Sequence, residues 1–314
     1  MAVLQAGFGI VAMLAIAFLF SEDRRSVPWK LVLVSIVLQF ALALVLLKFP
    51  ASQQVFVLLN KLVEILEEST RSGTSFVFGY LGGGDIPFKL KQGAKQGNTY
   101  ILAFRGLPLI LLLSALSSLL FYWKVLPVVV RFFARGLQRT LGVSGAEGVG
   151  IAANIFLGMV EAPLFIKRYI SGMQRGEIFA IMATGMATIA GTVMVLYASI
   201  LKPVLPNAMG HLLVASILSA PAAVAVSRIM VPAFPEKNAK VQISSSTSAN
   251  NSMEAIANGA LEGLSLLLNI VAMLIVLVAL VALVNNILGL LPEFHSRPLT
   301  MQRILGWVLA PLAW

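Results

Sequence analysis

The chain contains no cysteine and only two histidines, His211 and His295, which lie far apart in the sequence. Without cysteine there is no disulfide framework and no thiolate metal site. Charged residues are also scarce, at 11% of the 314 residues, whereas an ordinary soluble domain carries about 25%. The sequence has no nucleophile–base pair, metal-ligand cluster or Gly-Lys phosphate-binding motif. These absences argue against an enzyme and predict no bound cofactor.

Apolar residues make up 59% of the chain, and the mean hydropathy is +0.92. A soluble core with a polar surface does not reach such values, so the bilayer is the predicted solvent. The net charge of +10 comes from basic residues spread along the chain, which favours positive cytoplasmic loops over nucleic-acid binding. The sequence therefore predicts an all-α, multi-pass protein of the inner membrane that contacts the lipid bilayer and no nucleic acid.

Six stretches are long and apolar enough to be transmembrane helices: residues 2–20, 31–47, 106–123, 178–201, 203–227 and 263–292. The first could instead be a signal peptide, but it lacks a basic N-terminal region and is followed directly by Ser21-Glu-Asp-Arg-Arg25. Three amphipathic stretches are predicted to lie at the membrane interface: residues 52–70, 126–141 and 298–314. A polar, Ser- and Asn-rich linker is predicted at residues 235–252.

Lysine and arginine predict the orientation in the membrane. Arg24, Arg25 and Lys30 place the first loop in the cytoplasm and the N-terminus outside. The same rule assigns a second group of basic residues to the cytoplasm: Arg131, Arg135, Arg139, Lys167, Arg168, Arg175, Arg228, Lys237 and Lys240. Three lysines in the outer loop oppose the rule: Lys89, Lys91 and Lys95.

Residues 142–176 combine two carboxylates, Glu147 and Glu161, with apolar sequence that is interrupted by Gly158 and Pro163. Each apolar arm is too short to cross a bilayer, so two arms joined at a break predict a re-entrant hairpin. An ionisable residue inside a membrane indicates a functional site. The alternative is a surface loop whose glutamates face water.

The next span carries small residues and hydroxyls at its middle: Gly185, Thr188, Gly191 and Thr192. On a continuous helix these four residues share one face. This pattern favours close helix packing through small residues. The alternative is a kinked helix that offers backbone carbonyls to a cation.

Several ordered motifs resemble the concentrative nucleoside transporter family over essentially the whole chain. Those of the hairpin and the following span are Ser144-Gly-Ala-Glu147, Ala152-Ala-Asn154-Ile-Phe156, Glu161-Ala-Pro-Leu164 and Met186-Ala-Thr-Ile-Ala-Gly191. Others are Trp29-Lys-Leu-Val-Leu, Ser219-Ala-Pro-Ala222 and Met253-Glu254-Ala. The resemblance implies a homotrimer of scaffold domains, each of which holds a mobile transport domain built as an inverted repeat. It also implies a broken helix after the hairpin.

The resemblance divides the chain into four parts. Residues 1–100 form an N-terminal scaffold module, and residues 101–230 run from the third span to the end of the first transport repeat. Residues 231–252 form a cytoplasmic linker, and residues 253–314 form a long tilted helix and the start of a second repeat. The fold is therefore expected to contain half of an inverted-repeat transport domain, with the family's C-terminal part missing.

The resemblance also implies two sets of site residues. A sodium ion would be bound by the Asn154 and Thr188 side chains and by the Leu157 and Ile189 carbonyls. The substrate would contact Gly158, Met159, Val160, Glu161 and Val193. The family's usual run is Gly-Gln-Thr-Glu-Ala-Pro, in which Gln and Thr bind the nucleobase. Here Met159 and Val160 replace those two residues and cannot make the same hydrogen bonds.

The expected function is cation-coupled, secondary active uptake of nucleosides or nucleoside-like solutes across the inner membrane. Sodium is the expected coupling ion, and proton coupling through Glu161 is the alternative. Glu161→Gln is predicted to abolish or severely weaken uptake, with a smaller effect for Glu147→Gln. A hypothesis from a different class is a truncated, non-transporting membrane fragment or an assembly partner of the same family.

Overall fold

The computed structural model describes residues 2–48, 50–88, 100–159, 162–201, 204–205, 207–234, 249–290 and 299–313. The regular structure of this part of the chain is helical, which confirms the predicted fold class. The helices are α1 Ala2–Leu19, α2 Trp29–Lys48, α3 Pro50–Phe78, α4 Leu102–Arg105, α5 Leu109–Tyr122, α6 Val125–Leu141, α7 Gly145–Phe156, α8 Ala162–Ile166, α9 Arg175–Ala187, α10 Gly191–Leu201, α11 Ala208–Met230, α12 Ser252–Leu288 and α13 Met301–Ala313.

Five spans of the described chain are long and apolar enough to cross a membrane. They are α2, α4 with α5, α9 with α10, α11 and α12. A shorter apolar stretch, Gly7–Leu19, lies within α1. The five spans and this shorter stretch correspond to the six spans predicted from the sequence. The chain is a multi-pass membrane protein.

Helix α12 is longer than the span predicted at residues 263–292. It has 37 residues and already begins at Ser252, with Glu254 in its first turn. At a rise of about 1.5 Å per residue it is about 55 Å long, well beyond the roughly 30 Å of hydrocarbon. The polar residues before Gly263 therefore extend the helix beyond the apolar run. Most of the predicted linker, residues 235–248, and the outer-loop lysines lie outside the described residues.

Two amphipathic helices were predicted with different accuracy. Helix α6 has nearly the predicted bounds, and its arginines Arg131, Arg135 and Arg139 are exposed, whereas Val130 and Ala134 on the other face are buried. Helix α3 is longer than predicted because it continues to Phe78.

The chain divides into two compact units. One comprises Met1–Ile16 and Ser265–Trp314, where Asn285 accepts a hydrogen bond from the Met301 N–H at 2.8 Å. The other comprises Ala17–Leu264 and contains the hairpin and the broken helix. Within this second unit, Gly259 of α12 lets the helix meet α5, because a Cβ there would lie 2.6 Å from the Ser114 carbonyl oxygen.

Helix α7 is the centre of the second unit. Its residues Gly145 to Ile155 are all buried, packed among α6, α8, α9 and α11. Its glycines permit this packing, since a Cβ at Gly150 would lie 2.8 Å from the Ile181 Cδ1 atom. Such close packing by small residues is typical of helices inside membrane proteins.

Candidate functional site

The hairpin predicted at residues 142–176 is present as two short helices. Helix α7 begins after Ser144, whose hydroxyl accepts a hydrogen bond from the Glu147 N–H at 3.3 Å. It ends at Phe156, because Leu157 adopts an extended conformation (φ −106°, ψ 168°). The second arm, α8, begins at Ala162, whose N–H donates to the Gly158 carbonyl at 3.0 Å. Neither arm has the length of a membrane span.

Glu147 and Arg228 form an ion pair at the start of the hairpin. The Arg228 Nη2 atom lies 2.6 Å from the Glu147 Oε1 atom, and both side chains are fully buried. Glu147 occupies the first turn of α7 and Arg228 the last turn of α11. Each charge therefore lies at the helix end whose dipole favours it.

This ion pair corrects two interpretations of the sequence. Arg228 was counted among the cytoplasmic loop charges, but it lies inside the protein. Glu147 was open to being a water-facing loop residue, but it has no exposed surface. A buried charge needs a partner, and a rule that counts charges along the sequence does not identify one.

The span after the hairpin is broken. Helix α9 ends at Ala187 and α10 begins at Gly191, and Thr188 between them is extended (φ −97°, ψ 161°). Gly185, Thr188, Gly191 and Thr192 therefore do not share one continuous helical face, contrary to the packing interpretation. Gly191 nevertheless allows close approach, because a Cβ there would lie 2.6 Å from the Phe156 carbonyl oxygen. The broken helix implied by the family resemblance is present.

Asn154 lies in the last turn of α7 and is 1% exposed. Its Nδ2 group donates to the Ile181 carbonyl of α9 at 2.9 Å, which fixes the orientation of the amide. Its Oδ1 atom is buried and has no hydrogen-bond donor among the described residues. Gly185 leaves room for this side chain, since a Cβ there would lie 3.2 Å from Oδ1.

Thr188 joins the broken helix to the hairpin. Its Oγ1 atom lies 2.9 Å from the Asn154 carbonyl oxygen and 2.8 Å from the Thr184 carbonyl oxygen. The hydroxyl has one proton, so its lone pairs stay available to a further partner. The last turns of α7 and α9 therefore meet at this hydroxyl, beside the Asn154 amide.

The structure also locates the other residues implied for the site. Leu157 directly follows α7 and is buried, and the Ile189 N–H donates to the Ser216 hydroxyl at 3.3 Å. Gly158 and Met159 lie next to the broken helix, where a Cβ at Gly158 would contact Ala190 at 3.4 Å. Met159 is 59% exposed and Val193 is half-buried in α10. Val160 and Glu161 lie outside the described residues.

Sequence reasoning missed two residues of this region, Ser216 and Arg228. Ser216 of α11 is 1% exposed, and its hydroxyl donates to the Ile155 carbonyl at 3.4 Å while it accepts from Ile189. The uncharged run 203–227 contains three serines, and the sequence does not single out Ser216 among them. For Arg228 the signal was its position directly at the end of that run.

Three family models together match most of the chain. The N-terminus of Na+ dependent nucleoside transporters matches residues 8–81, a nucleoside recognition (Gate) model matches residues 103–204, and the C-terminus of Na+ dependent nucleoside transporters matches residues 211–314. The chain belongs to the concentrative nucleoside transporter family. Relatives within this family are described as transporters, permeases or cotransporters.

Individual relatives agree with the family models. The chain is 36% identical to the uncharacterized transporter YutK of Bacillus subtilis, over all of this chain and 74% of that protein. It is 34% identical to the nucleoside permease NupC of Helicobacter pylori, over 97% of this chain and 70% of that protein. The sodium/nucleoside cotransporter 2 of Rattus norvegicus is 32% identical, over 97% of this chain and 44% of that protein.

Solved structures of one transporter, CNTnw, are similar to this chain. The inward-facing, substrate-bound state gives a TM-score of 0.87 at 31% identity, covering all of this chain and 72% of that one. A variant of CNTnw in an outward-facing state gives a TM-score of 0.88 at 31% identity, covering 99% and 73% of the two chains.

Proposed function

We propose that this member of the concentrative nucleoside transporter family couples the uptake of nucleosides or nucleoside-like solutes to sodium. The observation that carries the proposal is the buried Asn154 Oδ1 atom without a donor among the described residues. A buried polar group without a partner costs about 1–3 kcal/mol. A cation bound at Oδ1 removes that cost.

The surroundings of Asn154 favour a cation over an anion. The last turns of α7 and α9 meet there through the Thr188 hydroxyl, and the carbonyl end of a helix carries partial negative charge. Asn154 and Thr188 supply side-chain oxygens, and we propose that the Leu157 and Ile189 carbonyls complete the site. A set of neutral oxygen ligands suits a hard cation such as sodium. The alternative remains proton coupling through Glu161.

We propose that the substrate binds beside this cation site. Gly158 and Met159 lie between the two arms of the hairpin, and Val193 lies in the first turn of α10. Val160 and Glu161 complete the proposed contacts. A thioether accepts hydrogen bonds only weakly, and apolar contacts discriminate poorly between polar edges. Selection among nucleobases by residues 159 and 160 is therefore expected to be loose, and Glu161 is expected to bind a substrate hydroxyl or a proton.

We further propose that the protein assembles as a homotrimer of scaffold domains. The proposed division into a scaffold module (1–100), a first transport repeat (101–230), a linker (231–252) and a long helix with the start of a second repeat (253–314) follows the family resemblance. Cross-linking in membranes tests the assembly, and recovery of monomers alone would contradict it.

The function is tested by uptake of radiolabelled uridine and adenosine into proteoliposomes that contain the protein from its complete reading frame. An inward sodium gradient is expected to drive accumulation, and replacement of sodium by choline is expected to stop it. Accumulation that continues in choline and follows a proton gradient would favour proton coupling. No accumulation under either gradient would favour a non-transporting assembly partner.

A further inference from the structure

Ser216 occupies a position between the two halves of the proposed sodium site. It lies within α11 and is 1% exposed. Its Oγ atom accepts a hydrogen bond from the Ile189 N–H at 3.3 Å and donates to the Ile155 carbonyl at 3.4 Å. The Ser216 hydroxyl, which belongs to α11, thus connects the end of α7 with the break between α9 and α10.

Both backbone groups need such a partner. Ile155 is in the last turn of α7, where carbonyls lack partners within the helix. Ile189 lies in the break, where the helical hydrogen-bond pattern stops. In a buried place, a backbone group without a partner is unfavourable. The Ser216 hydroxyl satisfies one group on each side.

The hydrogen bond to Ile189 also fixes the direction of a neighbouring carbonyl. The peptide unit between Thr188 and Ile189 is planar and trans. Because its N–H is directed at α11, the Thr188 carbonyl points away from α11. The peptide unit that follows Thr188 is therefore oriented by a residue of a different helix, whereas the Thr188 N–H donates to the Thr184 carbonyl of α9.

We propose that Ser216 is a positioning residue of the cation site. It sets the separation between the last turn of α7, which carries Asn154, and the break, which carries Thr188 and Ile189. Ser216 acts through the backbone of Ile155 and Ile189 and does not touch the ion. The proposal rests on the proposed sodium coupling and adds α11 to the elements that determine sodium affinity.

The ion pair between Arg228 of α11 and Glu147 of α7 restricts the proposed role of Ser216 to the sodium end of α7. Arg228 holds α11 to the first turn of α7 through Glu147, and Ser216 holds it to the last turn of α7. Helix α11 is therefore attached to both ends of α7. Loss of Ser216 leaves the Glu147 end attached, so the helix pair is expected to stay assembled while the sodium end loosens.

The test compares Ser216→Ala with Ser227→Ala in the complete protein. Ser227 is equally buried, but its hydroxyl donates to the Val224 carbonyl of its own helix at 2.9 Å. Loss of one hydrogen bond that orients a ligand corresponds to about a tenfold change in affinity. Ser216→Ala is expected to raise the half-saturating sodium concentration about tenfold, with the maximal rate at saturating sodium little changed. Ser227→Ala is expected to leave both values unchanged.

Two further experiments distinguish a role of Ser216 in positioning the cation site from a general structural role. Ser216→Thr retains the hydroxyl and is expected to bring the half-saturating sodium concentration close to the wild-type value. Stabilisation of the purified protein against heat, measured as sodium is titrated in detergent, is expected to give the same shift without any transport.

The outcomes distinguish this proposal from the one on which it rests. Wild-type protein whose uptake and thermal stability ignore sodium would overturn the sodium coupling itself. Wild-type protein that responds to sodium, together with a Ser216→Ala variant of unchanged sodium affinity, would overturn only the role of Ser216. A variant with a lower maximal rate and an unchanged half-saturating sodium concentration would likewise show a merely structural serine.

Discussion

The Arg228 Nη2 atom lies 2.6 Å and 2.7 Å from the two carboxylate oxygens of Glu147, 81 residues earlier in the chain. Neither side chain is exposed. The Nε and Nη1 atoms of Arg228 have no partner among the described residues. Among the described residues, Glu147 is therefore the partner that offsets the cost of burying the Arg228 guanidinium.

Removal of one member of this pair is expected to destabilise the protein strongly. Glu147→Met or Arg228→Met leaves an unpaired buried charge, which costs about 3–5 kcal/mol. The double variant removes both charges and is expected to recover most of the stability. The measurement is the midpoint of thermal unfolding in detergent.

A matched control for this prediction is the exposed ion pair between Glu22 and Arg175, whose N–O distance is 2.7 Å. An exposed pair contributes about 0–1 kcal/mol, so Glu22→Gln is expected to change the midpoint little. Additive losses in the Glu147 and Arg228 double variant would contradict the pairing. The prediction that Glu147→Gln reduces uptake less than Glu161→Gln concerns uptake per folded molecule, since loss of the Glu147 charge is also expected to reduce stability.

Asn154→Ala is expected to weaken sodium binding more than any other change at this site. It removes the buried Oδ1 atom and the hydrogen bond to the Ile181 carbonyl. The expected result is a rise of more than tenfold in the half-saturating sodium concentration for uptake, consistent with the loss of an oriented ligand. Uptake by Asn154→Ala with the sodium dependence of the wild type would contradict the proposed site.

Gly191→Ala is expected to destabilise the break between α9 and α10. Its Cβ would lie 2.6 Å from the Phe156 carbonyl oxygen, a backbone atom that has little freedom to move. Overpacking of this kind costs about 1–3 kcal/mol, which a lower midpoint of thermal unfolding would reveal.

Gly136→Ala provides the control for Gly191→Ala. Gly136 is exposed in α6, and a Cβ there meets nothing within 4 Å. Alanine is the better helix former by about 0.5–1 kcal/mol, so this variant is expected to be at least as stable as the wild type. Equal midpoints for the two variants would mean that α10 does not approach α7 as closely as described.

Glu161→Gln is expected to abolish or severely weaken uptake while membrane insertion stays intact. This prediction rests on the sequence, in which Glu161 follows Gly158 in an apolar stretch. A carboxylate in such a place requires a cation, a substrate hydroxyl or backbone N–H groups as partners. The comparison is made at equal abundance in the membrane. Wild-type uptake by this variant would remove the main reason for placing the substrate at the hairpin.

Elements with a strong local pattern were predictable from the sequence. Helix α6 was predicted within one residue at each end, because its arginines recur at helical spacing. In the structure, Gly142 directly follows the helix with a positive φ of 65°. The apolar pattern alone placed the span of α12 from Gly263, because Glu254 and Glu262 interrupt the apolar run. The family resemblance implied a long helix from residue 253, next to the observed start at Ser252.

Contacts between distant segments were not predictable in the same way. Ser216 and Ser219 are both serines of one apolar helix, yet Ser219 donates to the Ala215 carbonyl of its own helix. Only Ser216 reaches other segments. The sequence does not distinguish them, because the difference arises from which side of α11 faces α7. The hairpin was predicted from its short apolar arms and the break between them, whereas the broken helix was implied by the family resemblance, which carries spatial information.

The complete burial of α7 has a consequence for the synthesis of the protein. A segment without a lipid-facing side is not stable in the bilayer until its neighbours have arrived. Arg228 follows Glu147 by 81 residues, so at a synthesis rate of about 5–20 residues per second it emerges roughly 4–16 s later. During that interval the Glu147 carboxylate lacks the guanidinium with which it pairs in the folded protein. We therefore expect α7 to reach its final position only after α9 and α11 have entered the membrane.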